Sequence, residues 1–184
     1  FSAHKTHAPK GIGALYIKSG VKVKPVLFGG GQEKGFRSGT ENSPAIRAFS
    51  AAAEQNIRNF DANYSKKRSY IEQLHDGLKE VVPDMQVITD LSSSAPHILT
   101  VAFAGVRGEV LLHTLEKEGI LVGIGSACSS HRESKFKTLL GLDDAHRDGI
   151  VRFSVSEFNE IEEVPVVVDA VRRAVEQLKA FARK

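Results

Sequence analysis

The chain has 184 residues, 41% of them hydrophobic and 26% charged, with a formal net charge of +3. These proportions suit one globular unit, or a small domain with part of a second, and exclude a disordered, collagen-like or coiled-coil chain. No apolar run approaches the roughly 18–20 residues of a membrane span. Lys and Arg are interleaved with Asp and Glu rather than gathered into a stripe, so neither a membrane nor a nucleic acid is expected as a partner.

In chain order, residues 11–17 (GIGALYI) form a short apolar run that predicts a buried strand, and residues 21–28, interrupted by Pro25, predict an edge strand or hairpin arm. Residues 29–39 hold five glycines in eleven positions and predict a loop. Ser43-Pro44 predicts a helix start with the Ser43 hydroxyl as cap. Ile46, Phe49, Ala53, Ile57, Phe60 and Tyr64 then recur on one apolar face over 43–64. A second helical pattern through Tyr70, Ile71, Leu74, Leu78 and Val81 stops before Pro83. Strands are predicted at 86–88, 98–103, 120–122 and 150–155, with a helix over 109–118 closed by Gly119. Asn159 and Glu162 read as a capping box for a last helix, kinked or restarted at Pro165, with Val168, Val171, Val175, Leu178 and Phe181 as its buried stripe. The alternation of strands and helices gives an α/β class.

Four segments carry chemistry. Ser2-Ala3-His4-Lys5 precedes the glycine-punctuated run Gly11-Ile12-Gly13. A lysine is ordinarily a solvated charge, but small residues and an apolar run around Lys5 suggest a low-polarity setting, where an amine becomes a nucleophile toward carbonyls. Arg37-Ser38-Gly39-Thr40-Glu41-Asn42 places a guanidinium and hydroxyls before a helix N-terminus, which suits an anion such as phosphate. Capping and turn formation account for Ser38 and the glycines equally well.

Cys128, the only cysteine, sits among small residues in Gly125-Ser126-Ala127-Cys128-Ser129-Ser130, as an accessible loop thiol would. A lone cysteine precludes an internal disulfide and suits a reducing, cytoplasmic setting. His131, Arg132, Lys135 and Lys137 would favour a thiolate; an incidental exposed cysteine is the alternative. No second Cys/His pair accompanies Cys128-x-x-His131, so no metal site is expected. Arg152, in the apolar strand Ile150-Val151-Arg152-Phe153-Ser154-Val155, lies either on a solvated face or against a carboxylate that its planar fork would hold.

In order and spacing, these four segments resemble the cysteine desulfurases, pyridoxal-phosphate enzymes of the class-V aminotransferase group. The resemblance implies that Lys5 holds pyridoxal 5'-phosphate as a Schiff base and acts as acid and base on the substrate, with Ser2 and His4 at the cofactor phosphate. Thr40 would reach the phosphate in the neighbouring subunit of a homodimer. Arg152 would bind the carboxylate of L-cysteine, and Cys128 would take its sulfur as a persulfide for an acceptor protein such as an iron–sulfur scaffold.

The same resemblance implies part of the pyridoxal-phosphate-dependent transferase fold. Residues 1–42 would be the trailing edge of the large cofactor domain, 43–64 a connector helix, and 65–184 a small α/β domain carrying the cysteine loop. Members are about twice this length, and the chain opens on Phe1 without a leader sequence, so a fragment inactive alone is expected. Residues 1–42 are expected to be rearranged or poorly ordered without their partner segment. Two other readings are a non-catalytic persulfide carrier that binds a sulfur acceptor, and a selenocysteine lyase-like enzyme.

Overall fold

Tyr70, Ile71, Leu74 and Leu78 fall three and four residues apart, so a helix through them turns one continuous apolar stripe inward. In the computed structural model, which describes residues 1–124 and 140–182, that helix is the centre of the larger of two units, Asp61–Lys184; the other is Phe1–Phe60. The elements are α1 (Ser43–Arg58), α2 (Phe60–Val81), β1 (Gln86–Val87), β2 (Ile98–Ala102), α3 (Gly108–Glu116), β3 (Ile150–Ser154) and α4 (Glu163–Ala182). No described helix is long and apolar enough to cross a membrane.

Within Asp61–Lys184 the three strands form an antiparallel sheet in the order β1-β2-β3. Period-two alternation sends Leu99 and Val101 of β2 and Val151 and Phe153 of β3 to one face. There they join Leu111 and Leu115 of α3, the α2 stripe, and Ala170, Val171, Ala174 and Val175 of α4 in a single buried cluster. Each fully buried Leu, Val or Phe contributes about 1.5–3 kcal/mol by leaving water. Surface pairs such as Arg173–Glu118 (2.7 Å, both side chains more than a third exposed) contribute at most about 1 kcal/mol. The core therefore sets the stability, and the ion pairs trim it.

Glycines mark the closest approaches. A Cβ on Gly77 of α2 would lie 2.8 Å from Val168 Cγ2 of α4, and one on Gly149 would overlap the backbone of Phe103. Gly119, at φ +78°, closes the turn after α3 while Ile120 N–H reaches back to the Leu115 carbonyl at 3.0 Å.

Several expectations are corrected. Residues 11–17 form no strand: only Gly13 bridges, to Ser2, and Leu15 and Tyr16 are exposed because no neighbouring strand covers them. No strand forms over 21–28 either, for the same lack of a pairing edge. The helix cap is Asn42, whose Oδ1 accepts from Ala45 N–H at 3.2 Å, not Ser43, which is already helical. The apolar pattern over 43–64 is broken at Asn59 into α1 and α2, and α1 buries none of its residues. Residues 120–122 form no strand; the one pairing comes at Gly123.

Asn159 is not in a capping box with Glu162. Its Oδ1 accepts from Ser156 N–H at 2.9 Å and its amide donates to Glu163 Oε2 at 2.9 Å. Pro165 lies in the first turn of α4, where a missing N–H costs nothing, so it neither kinks nor restarts the helix. Phe181, at the last turn, is exposed.

Two polar anchors tie the elements together. Tyr70 is buried and donates its hydroxyl to Glu163 at 3.2 Å; burial first, and then the Glu163 carboxylate, push its phenol up to about 12. His146, 7% exposed, holds Asp143 Oδ1 at 2.6 Å through Nδ1 and the Asp84 carbonyl at 2.7 Å through Nε2. Burial pushes the His146 pKa down, but the Asp84 carbonyl and the Asp143 carboxylate outweigh it and the net shift is upward. Lys179 of α4 meets the Asp84 carboxylate at 2.6 Å, so the anchor reaches the last helix.

Because the folded His146 pKa lies above its unfolded value of about 6.5, its stabilisation is complete at lower pH and is lost as pH rises through the folded value. Urea midpoints of the wild-type chain should therefore fall as pH rises above about 6.5, and His146→Gln should flatten that slope. An equal slope in the variant would show that His146 is not its source. Gly149→Ala should lower stability by about 1–3 kcal/mol in the same measurement, since the Phe103 backbone cannot yield without losing its own ladder bond.

Candidate functional site

Ser2, His4 and Lys5 stand on one short 3-10 turn, Ala3–Thr6, in the Phe1–Phe60 unit. The turn is pinned at every side. Lys5 N–H donates to the Ser2 carbonyl (3.1 Å) and Ala3 N–H to Ile12 O (3.1 Å), and Ala8 N–H and the Thr6 hydroxyl both return to Ala3 O (3.2 and 2.8 Å). Asn56 of α1 adds a bond from Nδ2 to the Thr6 carbonyl at 3.3 Å. Ala3 is fully buried while Ser2, His4 and Lys5 are exposed. A fixed backbone thus presents a hydroxyl, an imidazole and an amine outward together. The low-polarity setting expected for Lys5 is not supplied by the described residues, because Ala3 is the only buried apolar residue of this unit.

That donor set fits a phosphate-bearing aldehyde, with hydroxyl and imidazole for the anion and a primary amine for the carbonyl. The glycine loop offers less than its sequence promised. Gly39 N–H is taken by Gln32 Oε1 (3.0 Å), Gly35 N–H by the Gly31 and Gln32 carbonyls (both 3.0 Å), and Ser38 N–H by Leu27 O (3.3 Å). These amides hold the loop's own shape. Arg37 and Thr40 remain exposed, with Arg37 folded back so that a Cβ on Gly39 would lie 2.8 Å from its Nη1. An anion here would be met by side chains rather than by a backbone nest.

Arg152 belongs to the other unit. Since Val151 and Phe153 fill the core, Arg152 points to the opposite face of the sheet, where Thr100 of β2 is its cross-strand partner. On its other side Gly123 pairs with it reciprocally: Gly123 N–H donates to Arg152 O (2.9 Å) and Arg152 N–H to Gly123 O (2.7 Å). Arg152 Nε is buried and has no hydrogen-bond partner among the described residues. An unsatisfied buried donor on a cation is costly, on the order of 1–3 kcal/mol or more, and is relieved by an anion that reaches it. The register that creates this arrangement, Thr100 opposite Arg152 and Gly123 beyond it, has no sequence signal of its own. The alternation around Arg152 shows only that it leaves the core.

Cys128, with His131, Arg132, Lys135 and Lys137, lies outside the described residues. Among the described residues no group of His, Cys, Asp and Glu is placed to hold a metal.

The profile of the aminotransferase class-V family matches residues 1–167. A cysteine desulfurase of Sinorhizobium fredii is 39% identical over 180 residues, which cover 97% of this chain and 46% of that protein. A cysteine desulfurase of Nostoc is 36% identical over 183 residues, covering 98% and 46%. Among solved structures, a NifS-like protein superposes with a TM-score of 0.85 at 32% identity, covering 96% of this chain and 46% of its own. The chain thus spans about half the length of the curated relatives it matches, and its α/β fold is that of part of the NifS-like structure. With nine-tenths of its sequence inside one family profile, this chain belongs to the class-V aminotransferases.

Proposed function

We propose that this chain carries the C-terminal part of a cysteine desulfurase site, taking sulfur from L-cysteine and leaving L-alanine and a persulfide on Cys128. The observation that carries this reading is Arg152, whose buried Nε has no partner among the described residues and would be satisfied by a carboxylate. The cysteine desulfurases that match along 97–98% of the chain support it. Residues 1–42 would then belong to the large domain of the whole enzyme, and 65–184 to the small one. In the Phe1–Phe60 unit, Leu15, Tyr16, Val26 and Phe28 are 75–85% exposed, as surfaces awaiting further polypeptide would be.

The class-V family implies pyridoxal phosphate, which supplies an electron sink when bound. Lys5 Nζ would hold it and move protons at the substrate carbon atoms, while Ser2 and His4 would donate to its phosphate. Thr40 would donate to the phosphate of the neighbouring subunit in a homodimer. Arg152 would orient L-cysteine by a two-point grip on its carboxylate, holding the thiol end toward Cys128. The Cys128 thiolate would attack that sulfur. The substrate C–S bond breaks as an S–S bond forms, and the carbon end takes a proton, so L-cysteine and one protein thiol give L-alanine and one persulfide with no outside oxidant. A sulfur-acceptor protein, such as an iron–sulfur scaffold, would then receive the outer sulfur in a reducing, cytoplasmic setting.

One observation favours a second reading. Residues 61–184 hold the whole apolar core cluster, so this part can act without a cofactor as a persulfide carrier on Cys128.

The chain, alone and co-expressed with the missing half of a relative, should be treated with pyridoxal phosphate, reduced with borohydride and mapped by mass. The expected result is a Lys5 adduct in the complemented protein, absent in Lys5→Ala. Cys128→Ser should keep the adduct yet lower alanine formation by about 10²–10⁴-fold. No adduct in either form, with Cys128 still labelled by a persulfide donor, would replace the enzyme reading with the carrier. Arg152→Lys should weaken L-cysteine binding by about 10–100-fold, as the loss of a charge-assisted pair predicts.

A further inference from the structure

We infer that Gly123 is a positioning residue for Arg152, acting by the side chain it lacks; this rests on the reading of Arg152 as the carboxylate anchor. Three observations converge on it. The two residues exchange both backbone hydrogen bonds, at 2.9 and 2.7 Å, so their Cα atoms face each other at fixed register. A Cβ on Gly123 would lie 3.1 Å from Arg152 Nη2 and 3.5 Å from both Cζ and Nε. That places the Nε–Nη2 edge of the guanidinium against Gly123, in space that any other residue's Cβ would enter. Finally, Nε is the atom left buried and without a partner among the described residues.

The geometry has a consequence for recognition. Nε and Nη2 form the side edge of the guanidinium, the edge that grips a carboxylate with two parallel bonds. Gly123 borders that same edge. Its missing side chain therefore lets the guanidinium settle against the 120–124 segment with Nε buried there. Gly123 is not in the left-handed region, so the position accepts any residue as far as its backbone is concerned. Only the space over Arg152 calls for glycine. An alanine asks the guanidinium to yield by a few tenths of an ångström. A valine, branched at Cβ, pushes the side edge away.

The test reads Arg152 directly, by NMR of the uniformly ¹⁵N-labelled full chain, with the Arg152 Nε–H signal assigned by its loss in Arg152→Lys. In the wild type this signal should exchange slowly with water and shift on titration with L-alanine. In Gly123→Val it should move and exchange at least about tenfold faster, and L-alanine affinity should fall by about tenfold, the loss of one charge-assisted bond. Gly123→Ala should fall between the two, and it serves as the reading should the valine variant fail to show a native circular dichroism spectrum. Unchanged Nε–H exchange and affinity in the folded variants would overturn the role of Gly123. Absence of any L-alanine shift in the wild type, with Nε–H still released by the Gly123 variants, would instead overturn Arg152 as the carboxylate anchor and leave the positioning role standing.

Discussion

Everything in the larger unit turns on the alternation along β3. Val151 and Phe153 must enter the core, because the sheet has only one covered apolar face and both residues are needed to fill it. Pleating then sends Arg152 the other way, into a row between Thr100 and Gly123. A slip of one residue would bury the guanidinium among leucines and expose a phenylalanine, at a cost of several kcal/mol. The packing of the core therefore fixes the face of the sheet from which Arg152 projects. That explains how Nε tolerates having no partner among the described residues: its position is enforced by its neighbours.

How much of this was legible beforehand depended on where each signal came from. The α2 stripe, β2, β3 and α3 were readable because their periodicity and their burial arise from contacts within this chain. Residues 11–17 gave an equally strong strand pattern and formed none. The pattern asks for a neighbouring strand, and no strand among the described residues pairs with it beyond the Ser2–Gly13 bridge. Similarly, the apolar face over 43–64 was sound as a pattern, but Asn59 interrupts it and Ile46 and Ile57 stay exposed. Errors at the helix starts were of another kind. Asn42 and Ser43 are both good caps, as Asn159 is before α4, and composition alone does not choose among adjacent side-chain oxygens.

The site shows the same division. Lys5, Ser2 and His4 were found together because they are adjacent in sequence, and one pinned turn carries all three. The glycine loop misled in part, since its amides look available in sequence and are consumed by Gln32 and neighbouring carbonyls in the fold. Gly123 was invisible. Its meaning depends on a pairing with a residue 29 positions away (152 − 123), and no local pattern encodes such a pairing.

The two units also differ in what they need from elsewhere. Residues 61–184 bury leucines, valines and phenylalanines in one cluster, and a marginal stability of a few kcal/mol is within reach of such a core. Phe1–Phe60 buries one alanine and exposes several large apolar side chains, so it has little apolar burial of its own to set against the entropy of ordering its backbone. Arg152 is thus carried by a strand of the buried core in its own unit, whereas Lys5 stands on a hydrogen-bonded turn in a unit whose only buried apolar residue is Ala3.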